Sequence, residues 1–340
     1  MPETIEPPKI RIHTDEPPVK PSSRVLKILK WIGLSLALII FAGIIFIKFD
    51  TAQAAEITDK YLRPILGKGL VLYMEQTFFN LSDSATKVIY DFKKPTAPEF
   101  NGDGSNAANQ NSLELTPIPP NPAFSALPGE GQWNNIPLNI FPDKEVLAYT
   151  FVRPDSSRSF AIVSIVKMDT KALTLASVAG TIEPGGKVGK RGPGKVPKTI
   201  VQSGNLVAAF DGGFQYSDGA YGMIVGNTTY LPLKPDLGTI VGYNDGTVDI
   251  FDYIGQALGD NVAFVRQNGP LLIENGQITV TDPSSQQTWG RVVGTGMYTW
   301  RSALGVSKDG QLLFAAGNNL SPETLAEALA SAGAVRILSG

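Results

Sequence analysis

The sequence predicts an α+β fold: a mixed, mostly antiparallel, strand-rich domain with few helices, preceded by one transmembrane helix. Short apolar or β-branched runs, separated by turn residues, follow one another from about residue 138 onward. One amphipathic helix with strong capping residues lies near the C-terminus, and one uncharged apolar run lies near the N-terminus. The chain has no internal repeat and no strand–helix alternation, so Rossmann and TIM-barrel folds are not expected.

The predicted strands are short and bounded by turn residues. They cover residues 146–152, 160–168, 172–178, 206–210, 222–226, 238–243, 247–251, 262–266, 271–274 and 311–315. Residues 160–166 are apolar on both alternating faces, which indicates an interior strand. Three dipeptides are typical of hairpin turns, namely Asp245-Gly246, Asn275-Gly276 and Asp309-Gly310.

One helix is predicted near the C-terminus because its signals agree. Ser321 is a good N-cap, Pro322 suits the first helical position, and Gly333 suits the position just after the helix. The apolar stripe of this helix consists of Leu325, Leu329 and Ala332.

The N-terminal region predicts a membrane anchor. Residues 1–30 are proline-rich and charged, which is typical of a disordered tail. Residues 31–47 form an uncharged apolar run at the short end for a membrane span, and snorkelling of Lys48 extends the predicted span to residues 31–49. Lysines and arginines precede this run, so the tail is expected in the cytoplasm and the main domain outside it. The alternative is a secreted protein cleaved after Ala54, because residues 52–54 have the small-x-small form of a cleavage site.

The remaining chain divides by composition. Residues 50–92 predict a membrane-proximal helical segment, since their apolar residues recur at helical spacing. Residues 93–135 are rich in proline, asparagine, serine and glycine, which indicates a linker. Residues 136–340 then form the strand-rich domain.

Composition excludes several classes of chemistry. The chain of 340 residues has no cysteine and one histidine, His13, which lies in the predicted tail. The folded region therefore cannot use Ser-His-Asp or Cys-His catalysis, and it cannot bind a metal ion through histidine. The net charge of −2 gives no reason to expect a nucleic-acid partner, and neither a cofactor nor a metal is expected.

The stretch around Asp211 is the first candidate site. The predicted strand 206–210 ends in Asp211-Gly212-Gly213, where the backbone can approach a ligand closely. Aromatic and acidic residues follow, including Phe214, Asp218 and Tyr221. The pattern fits a small-molecule site at the end of a strand, and a plain hairpin turn is the alternative.

Three further stretches offer ligand contacts. Gln267-Asn268-Gly269 supplies two side-chain amides and an open backbone after a strand. Arg301 enters a strand between aromatic and small residues, and its planar guanidinium suits a carboxylate or a phosphate. Residues 187–198 form a cationic loop that includes Lys190 and Arg191 and could attract a polyanion; a solvated flexible loop is the alternative.

Taken in order, these motifs resemble the phosphodiester glycosidase family over residues 148–340. The motifs that carry the resemblance are Asp-Gly-Gly-Phe at 211–214, Asn-Gly-Pro-Leu-Leu with a Glu-Asn-Gly turn at 268–276, Arg-Ser-Ala-Leu-Gly-Val with Lys-Asp-Gly at 301–310, and the last helix leading into Gly-Ala-Val at 333–335. The family usually has Asn where this chain has Asp211, and often Gly where it has Asn268. Members also continue into an acidic Leu-Asp-Gly-Gly motif, whereas this sequence ends in Ile-Leu-Ser-Gly at 337–340, which suggests truncation.

The resemblance implies hydrolysis of sugar-1-phosphodiesters. Together with the predicted anchor, it predicts a membrane-anchored, extracytoplasmic hydrolase that acts on cell-envelope glycans. It implies Asp211 as acid or base, Arg301 on the phosphate, and Asp218 or a residue beyond 340 as the second carboxylate that glycoside hydrolysis usually needs. The implied substrate contacts are Gly212, Gly213, Phe214, Tyr221, Gln267, Asn268, Gly269, Lys190 and Arg191. Two alternatives remain: a non-catalytic envelope protein that binds an anionic cell-wall polysaccharide through residues 187–198, and a purely structural anchored module.

Overall fold

The computed structural model describes residue 31 and residues 58–99, 113–181, 190–214, 216–280 and 298–339. The predicted tail 1–30, the predicted membrane span after Trp31 and the cleavage site at Ala54 lie outside these residues. Within the described ranges, no helix combines the length and the apolar character needed to cross a membrane. The chain divides into two compact units, Met1–Val71 and Leu72–Gly340.

The described part of the predicted segment 50–92 is helical. A π-helical turn (Thr58–Leu62) precedes α1 (Arg63–Leu66) and α2 (Lys68–Phe92). Three helices follow in the second unit: α3 (Lys198–Gln202), α4 (Tyr216–Gly219) and α5 (Pro322–Ser331).

The strands of the described residues form two sheets. In chain order they are β1 (Asn134–Asn135), β2 (Leu147–Val152), β3 (Val163–Met168), β4 (Met223–Val225), β5 (Thr228–Leu231), β6 (Leu237–Tyr243), β7 (Val248–Tyr253), β8 (Val262–Gln267), β9 (Leu271–Glu274), β10 (Gln277–Ile278), β11 (Thr299–Ser307), β12 (Leu312–Leu320) and β13 (Ala334–Ser339). One sheet has the order β1-β2-β3-β12-β11-β13-β9-β10, and the other has the order β5-β4-β8-β6-β7.

Hydrogen-bonded strand neighbours in the described residues are antiparallel throughout, so the expected mixed character is not seen there. The reason is topological. Helix α5 connects β12 to β13, but β11 lies between these two strands and runs antiparallel to both. The strand–helix–strand unit therefore contains no directly paired parallel strands.

Two hydrophobic cores lie on the two faces of the eight-stranded sheet. The inter-sheet core joins both sheets and contains Leu147, Met168, Ile240, Val248, Ile250, Phe264, Leu271, Val306, Leu312 and Leu338. The helix-side core lies under α5 and includes Val163, Ile165, Ala303, Leu313, Ala315, Leu320, Leu325, Leu329 and Ile337. The fold is therefore a helix layer, a large sheet and a small sheet in sequence, which confirms the strand-rich antiparallel prediction.

Helix α5 forms where its sequence signals predict. The Ser321 side chain accepts a hydrogen bond from the Thr324 amide at 3.1 Å, and the Thr324 hydroxyl accepts one from the Ser321 amide at 2.8 Å. Gly333 adopts a φ of +93° just beyond the helix. Leu325 and Leu329 are fully buried, as the apolar stripe predicts.

Two predicted strands, 172–178 and 206–210, are wrong. Both segments are irregular and join no ladder among the described residues. Their apolar side chains still pack: Leu173, Leu175 and Val207 lie against the inter-sheet core, and Phe210 stacks on Phe314 with ring centroids 4.7 Å apart. The apolar residues of these two segments therefore indicate that their side chains are buried, but they do not indicate that the backbone pairs in a sheet.

Part of the predicted linker packs into the domain. Ile118 belongs to the helix-side core. Glu130 makes a buried bidentate pair with Arg153, at 2.9 Å to Nε and 2.6 Å to Nη2.

A second bidentate ion pair lies within the second unit. Asp83 of α2 is paired with Arg158, and both of its carboxylate oxygens lie 3.0 Å from guanidinium nitrogens.

Candidate functional site

A cleft lies between the two sheets where the predicted strand-end motifs meet. The cleft is small and partly open to solvent. Its lining combines polar and apolar residues, namely Asp211, Gly212, Ile240, Asn268, Ser302, Ala303, Leu304, Phe314, Leu338 and Ser339. Three of the sequence-predicted motifs, those that begin at Asp211, Asn268 and Arg301, therefore contribute residues to one cavity.

The loop 211–214, called the glycine loop below, rests on the side chain of Asn268. Gly213 has a φ of +144°, and a Cβ there would lie 2.8 Å from Asn268 Nδ2 and closer still to Oδ1. The Phe214 amide donates a hydrogen bond to Asn268 Oδ1 at 3.3 Å. Glycine at 213 thus permits the close approach that its sequence context suggested.

Strand β8 supplies the residues beneath this loop. Its side chains alternate, so Phe264 in the inter-sheet core and Arg266 share one face. The Arg266 guanidinium donates to the carbonyl oxygens of Gly212 at 3.3 Å, Phe214 at 2.8 Å and Tyr221 at 2.9 Å. The glycine loop is therefore fixed from below by an arginine that the sequence analysis did not single out.

Gln267 points away from this face and is fully buried. Its Nε2 donates to the Lys234 carbonyl at 2.9 Å and to Thr239 Oγ1 at 3.0 Å, and its Oε1 accepts from the Lys234 amide at 2.8 Å. These contacts tie β8 to β6 and to the segment before it. The structure gives the Gln267 amide this internal role and does not bring it to the cleft.

The other residues near the glycine loop that were predicted to contact the substrate are not among the described lining residues of the cleft. The Gly269 carbonyl accepts from the Gly238 amide at 3.1 Å, which fixes the backbone beside Asn268. The rings of Phe214 and Tyr221 lie 5.9 Å apart at a tilt of 45°, and Tyr221 is buried. The Asp218 side chain lies outside the described part of the structure.

Arg301 lies on the other face of β11 from the cleft residue Ser302. It shares the face of Ala303, which packs in the helix-side core, whereas Leu304 packs on the inter-sheet core. Arg301 is 9% exposed, and its Nε donates to the Leu320 carbonyl at 2.8 Å. Burial lowers the pKa of Arg301 to about 10. The structure does not place Arg301 in the lining of the cleft, and its phosphate role stays a prediction.

The cationic loop is also apart from the cleft lining. Lys190 and Arg191 are exposed, and Lys187 lies outside the described residues. The next residues are anchored, because the Gly192 and Gly194 amides donate to the carbonyls of Gly180 and Ala179 at 2.8 and 2.9 Å. The two cations are therefore presented to solvent next to a fixed backbone.

Sequence reasoning missed Ser302, Ser339 and Arg266. Ser302 stands beside Arg301, and strand alternation alone puts the two side chains on opposite faces. Ser339 is the antiparallel partner of Ala303, a pairing that depends on the sheet order. No local sequence signal identifies Arg266, since its three acceptors are distant in the chain.

The cleft can perform acid–base chemistry and hydrogen bonding. Asp211 is exposed and is the carboxylate among the described lining residues, while Asn268 and Ser302 add an amide and a hydroxyl. Within the described residues, no group of three acidic or histidine side chains could hold a metal ion. A second carboxylate, which glycoside hydrolysis usually requires, is not among the described lining residues.

Comparison with known proteins finds a family match in the C-terminal part of the chain. Residues 204–336 match the family model described as phosphodiester glycosidase, which confirms the resemblance. No curated protein matches the chain. Among solved structures, the chain is similar to the crystal structure of a hypothetical protein from Synechocystis, with 13% identity and a TM-score of 0.30, covering 58% of this chain and 56% of that one. This chain therefore spans little more than half the length of that protein.

Proposed function

We propose that this chain, which carries a phosphodiester glycosidase domain at residues 204–336, hydrolyses a phosphodiester-linked sugar in the cleft at Asp211. The substrate class follows from the family. The proposed reaction joins a water oxygen to the anomeric carbon or to phosphorus and breaks the sugar–oxygen–phosphorus linkage. Its products are a free sugar and a phosphate monoester.

The convergence of Asp211 and Asn268 on one cleft is the observation that supports this proposal. Their stretches are far apart in the sequence, yet the Asn268 amide contacts the loop that begins with Asp211. An exposed carboxylate beside a buried amide suits proton transfer next to an oriented substrate. A plain hairpin turn at residues 211–213 would not require such a partner.

In the proposed mechanism, Asp211 accepts the proton of the attacking water or gives a proton to the leaving oxygen. Asn268 and Ser302 hydrogen-bond to sugar hydroxyls or phosphate oxygens and orient them. The second carboxylate is assigned to Asp218. Arg301 remains a candidate for the phosphate, although its face of β11 favours a structural role.

We also propose that the enzyme acts outside the cytoplasm, held at the membrane by residues 31–49, on glycans of the cell envelope. This part rests on the apolar run and on the basic residues that precede it. A protease-protection assay on intact cells tests it. Cleavage of the domain by external protease supports the orientation, and protection of the domain until the cells are lysed contradicts it.

The activity is tested by incubating the purified protein with a panel of chromogenic sugar-1-phosphodiesters in water enriched in oxygen-18. Hydrolysis must release free sugar, and the label in the sugar or in the phosphate identifies the broken bond. The matched substrates are neutral glycosides of the same sugars, which should not react. Absence of turnover on every diester would contradict the proposed function.

A second candidate is binding of an anionic cell-wall polymer without hydrolysis. The exposure of Lys190 and Arg191 on a loop outside the cleft lining favours it. Co-sedimentation with a teichoic-acid-type polyanion at low and high salt tests this candidate. Binding that is lost in Lys190→Glu/Arg191→Glu, together with no diester hydrolysis, would favour it over the enzyme.

A further inference from the structure

Arg266 is placed to control the geometry of the glycine loop. Arg266 is 8% exposed, and its guanidinium lies beneath Gly212, Phe214 and Tyr221. Nε, Nη1 and Nη2 each donate to a different backbone carbonyl, those of Gly212, Tyr221 and Phe214. One side chain therefore connects both ends of the segment that follows Asp211.

The contacts depend on the shape of the guanidinium. Three separate nitrogens in a rigid plane reach three carbonyls at 2.8–3.3 Å. A lysine has a single nitrogen on a flexible stem, so it cannot reproduce this fork. An apolar side chain of similar length would leave the three carbonyls without these donors, which is costly in a buried place.

The loop that Arg266 holds is the same loop that contacts Asn268. The Gly212 and Phe214 carbonyls bind Arg266, while the Phe214 amide binds Asn268 Oδ1. Gly212 directly follows Asp211, so holding the Gly212 carbonyl restrains the backbone one residue after Asp211. Arg266, which restrains this part of the chain, is not among the described lining residues of the cleft.

We propose that Arg266 is a positioning residue for the hydrolysis, holding the glycine loop so that Asp211 faces the substrate beside Asn268. This inference rests on the proposed function, and it adds a residue that does not touch the substrate. Misplacing a reacting group by about 1 Å can cost about 10²-fold in rate, so the expected effect is on kcat.

The test compares Arg266→Lys and Arg266→Met with Arg153→Lys in the full chain. Arg153 is a matched control, because it is also buried but directly follows β2 and binds Glu130 and the Ser125 carbonyl, which lie outside the glycine loop. Two readouts are needed: kcat and KM on a sugar-1-phosphodiester, and hydrogen exchange of the Phe214 amide. The second readout does not depend on activity.

In both Arg266 variants, the Phe214 amide should exchange about tenfold faster than in wild type, and kcat should fall by about 10²-fold with a smaller change in KM. Arg153→Lys should lose stability without either effect. Unchanged Phe214 exchange overturns the proposal, as does faster exchange with a wild-type kcat. If the wild-type protein hydrolyses no diester, the proposed function fails, and Phe214 exchange alone decides whether Arg266 holds the loop.

Discussion

The side chain of Asn268 occupies the space that a side chain at Gly213 would need. A Cβ on Gly213 would lie 2.8 Å from Asn268 Nδ2, and the φ of Gly213 is +144°. The two residues belong to different motifs of the sequence, and their contact places both motifs at one cleft.

Gly213→Ala should destabilise the protein and reduce diester hydrolysis, because the added Cβ pushes the loop off Asn268. The expected loss is about 1–3 kcal/mol in the free energy of unfolding, measured by urea titration. Gly212→Ala is the matched control for stability, since a Cβ there meets nothing within 4 Å. Equal stability of the two variants would contradict the proposed packing.

Asn268→Leu and Asn268→Asp should separate loop support from substrate binding. Leucine removes the acceptor of the Phe214 amide, so that amide should exchange faster. Aspartate keeps an acceptor oxygen but adds a negative charge, so it should keep slow exchange and raise KM for an anionic diester. An aspartate variant with wild-type KM would show that the substrate does not approach Asn268.

Arg301→Met should lower stability and leave KM unchanged. The variant removes the donor to the Leu320 carbonyl, which directly precedes the N-cap of α5, at an expected cost of about 1–3 kcal/mol. If Arg301 binds phosphate instead, KM for the diester should rise with little change in stability. Comparing thermal unfolding with KM therefore decides between the two roles.

The Asp83–Arg158 pair should make stability depend on acid pH. Burial tends to raise the pKa of Asp83, but Arg158 and Lys87 outweigh it and hold this pKa below 3.8. The pair therefore contributes fully above the unfolded pKa of about 3.9, and its contribution is lost as pH falls through the lower folded value. The gap in unfolding free energy between wild type and Asp83→Asn should be constant above about pH 5 and shrink below pH 3.8.

Arg158→Met provides the control for this pH dependence. The Asp83→Asn substitution should then cost little at any pH, because its partner is already absent. A gap of unchanged size in the Arg158→Met background would assign the pH dependence to other carboxylates. Asp155, whose pKa is also held low by hydrogen bonds and by Arg158 despite burial, is the first of these.

Local signals predicted local structure well. The capping residues of α5 are each found in place, and Asn275-Gly276, with φ values of +50° and +80°, forms the two-residue turn between β9 and β10. Such elements depend on contacts within a few residues, so the sequence around them is sufficient.

Features that depend on contacts between distant parts of the chain could not be predicted from the sequence. The run 206–210 has the composition of a strand, but its backbone finds no ladder in the described residues, and Phe210 is instead held by Phe314. The roles of Arg266 and Gln267 depend on which side of β8 each residue faces and on loops elsewhere in the chain. No pattern within β8 could reveal those partners.

The central claim is that the Asp211 carboxylate performs the chemistry in this cleft. The most direct measurement is kcat on a sugar-1-phosphodiester for Asp211→Asn against Asp245→Asn, an exposed aspartate in the β6–β7 turn. We predict that Asp211→Asn lowers kcat by about 10²-fold or more while keeping the wild-type exchange of the Phe214 amide, and that Asp245→Asn leaves kcat unchanged. A wild-type kcat in Asp211→Asn would contradict the account.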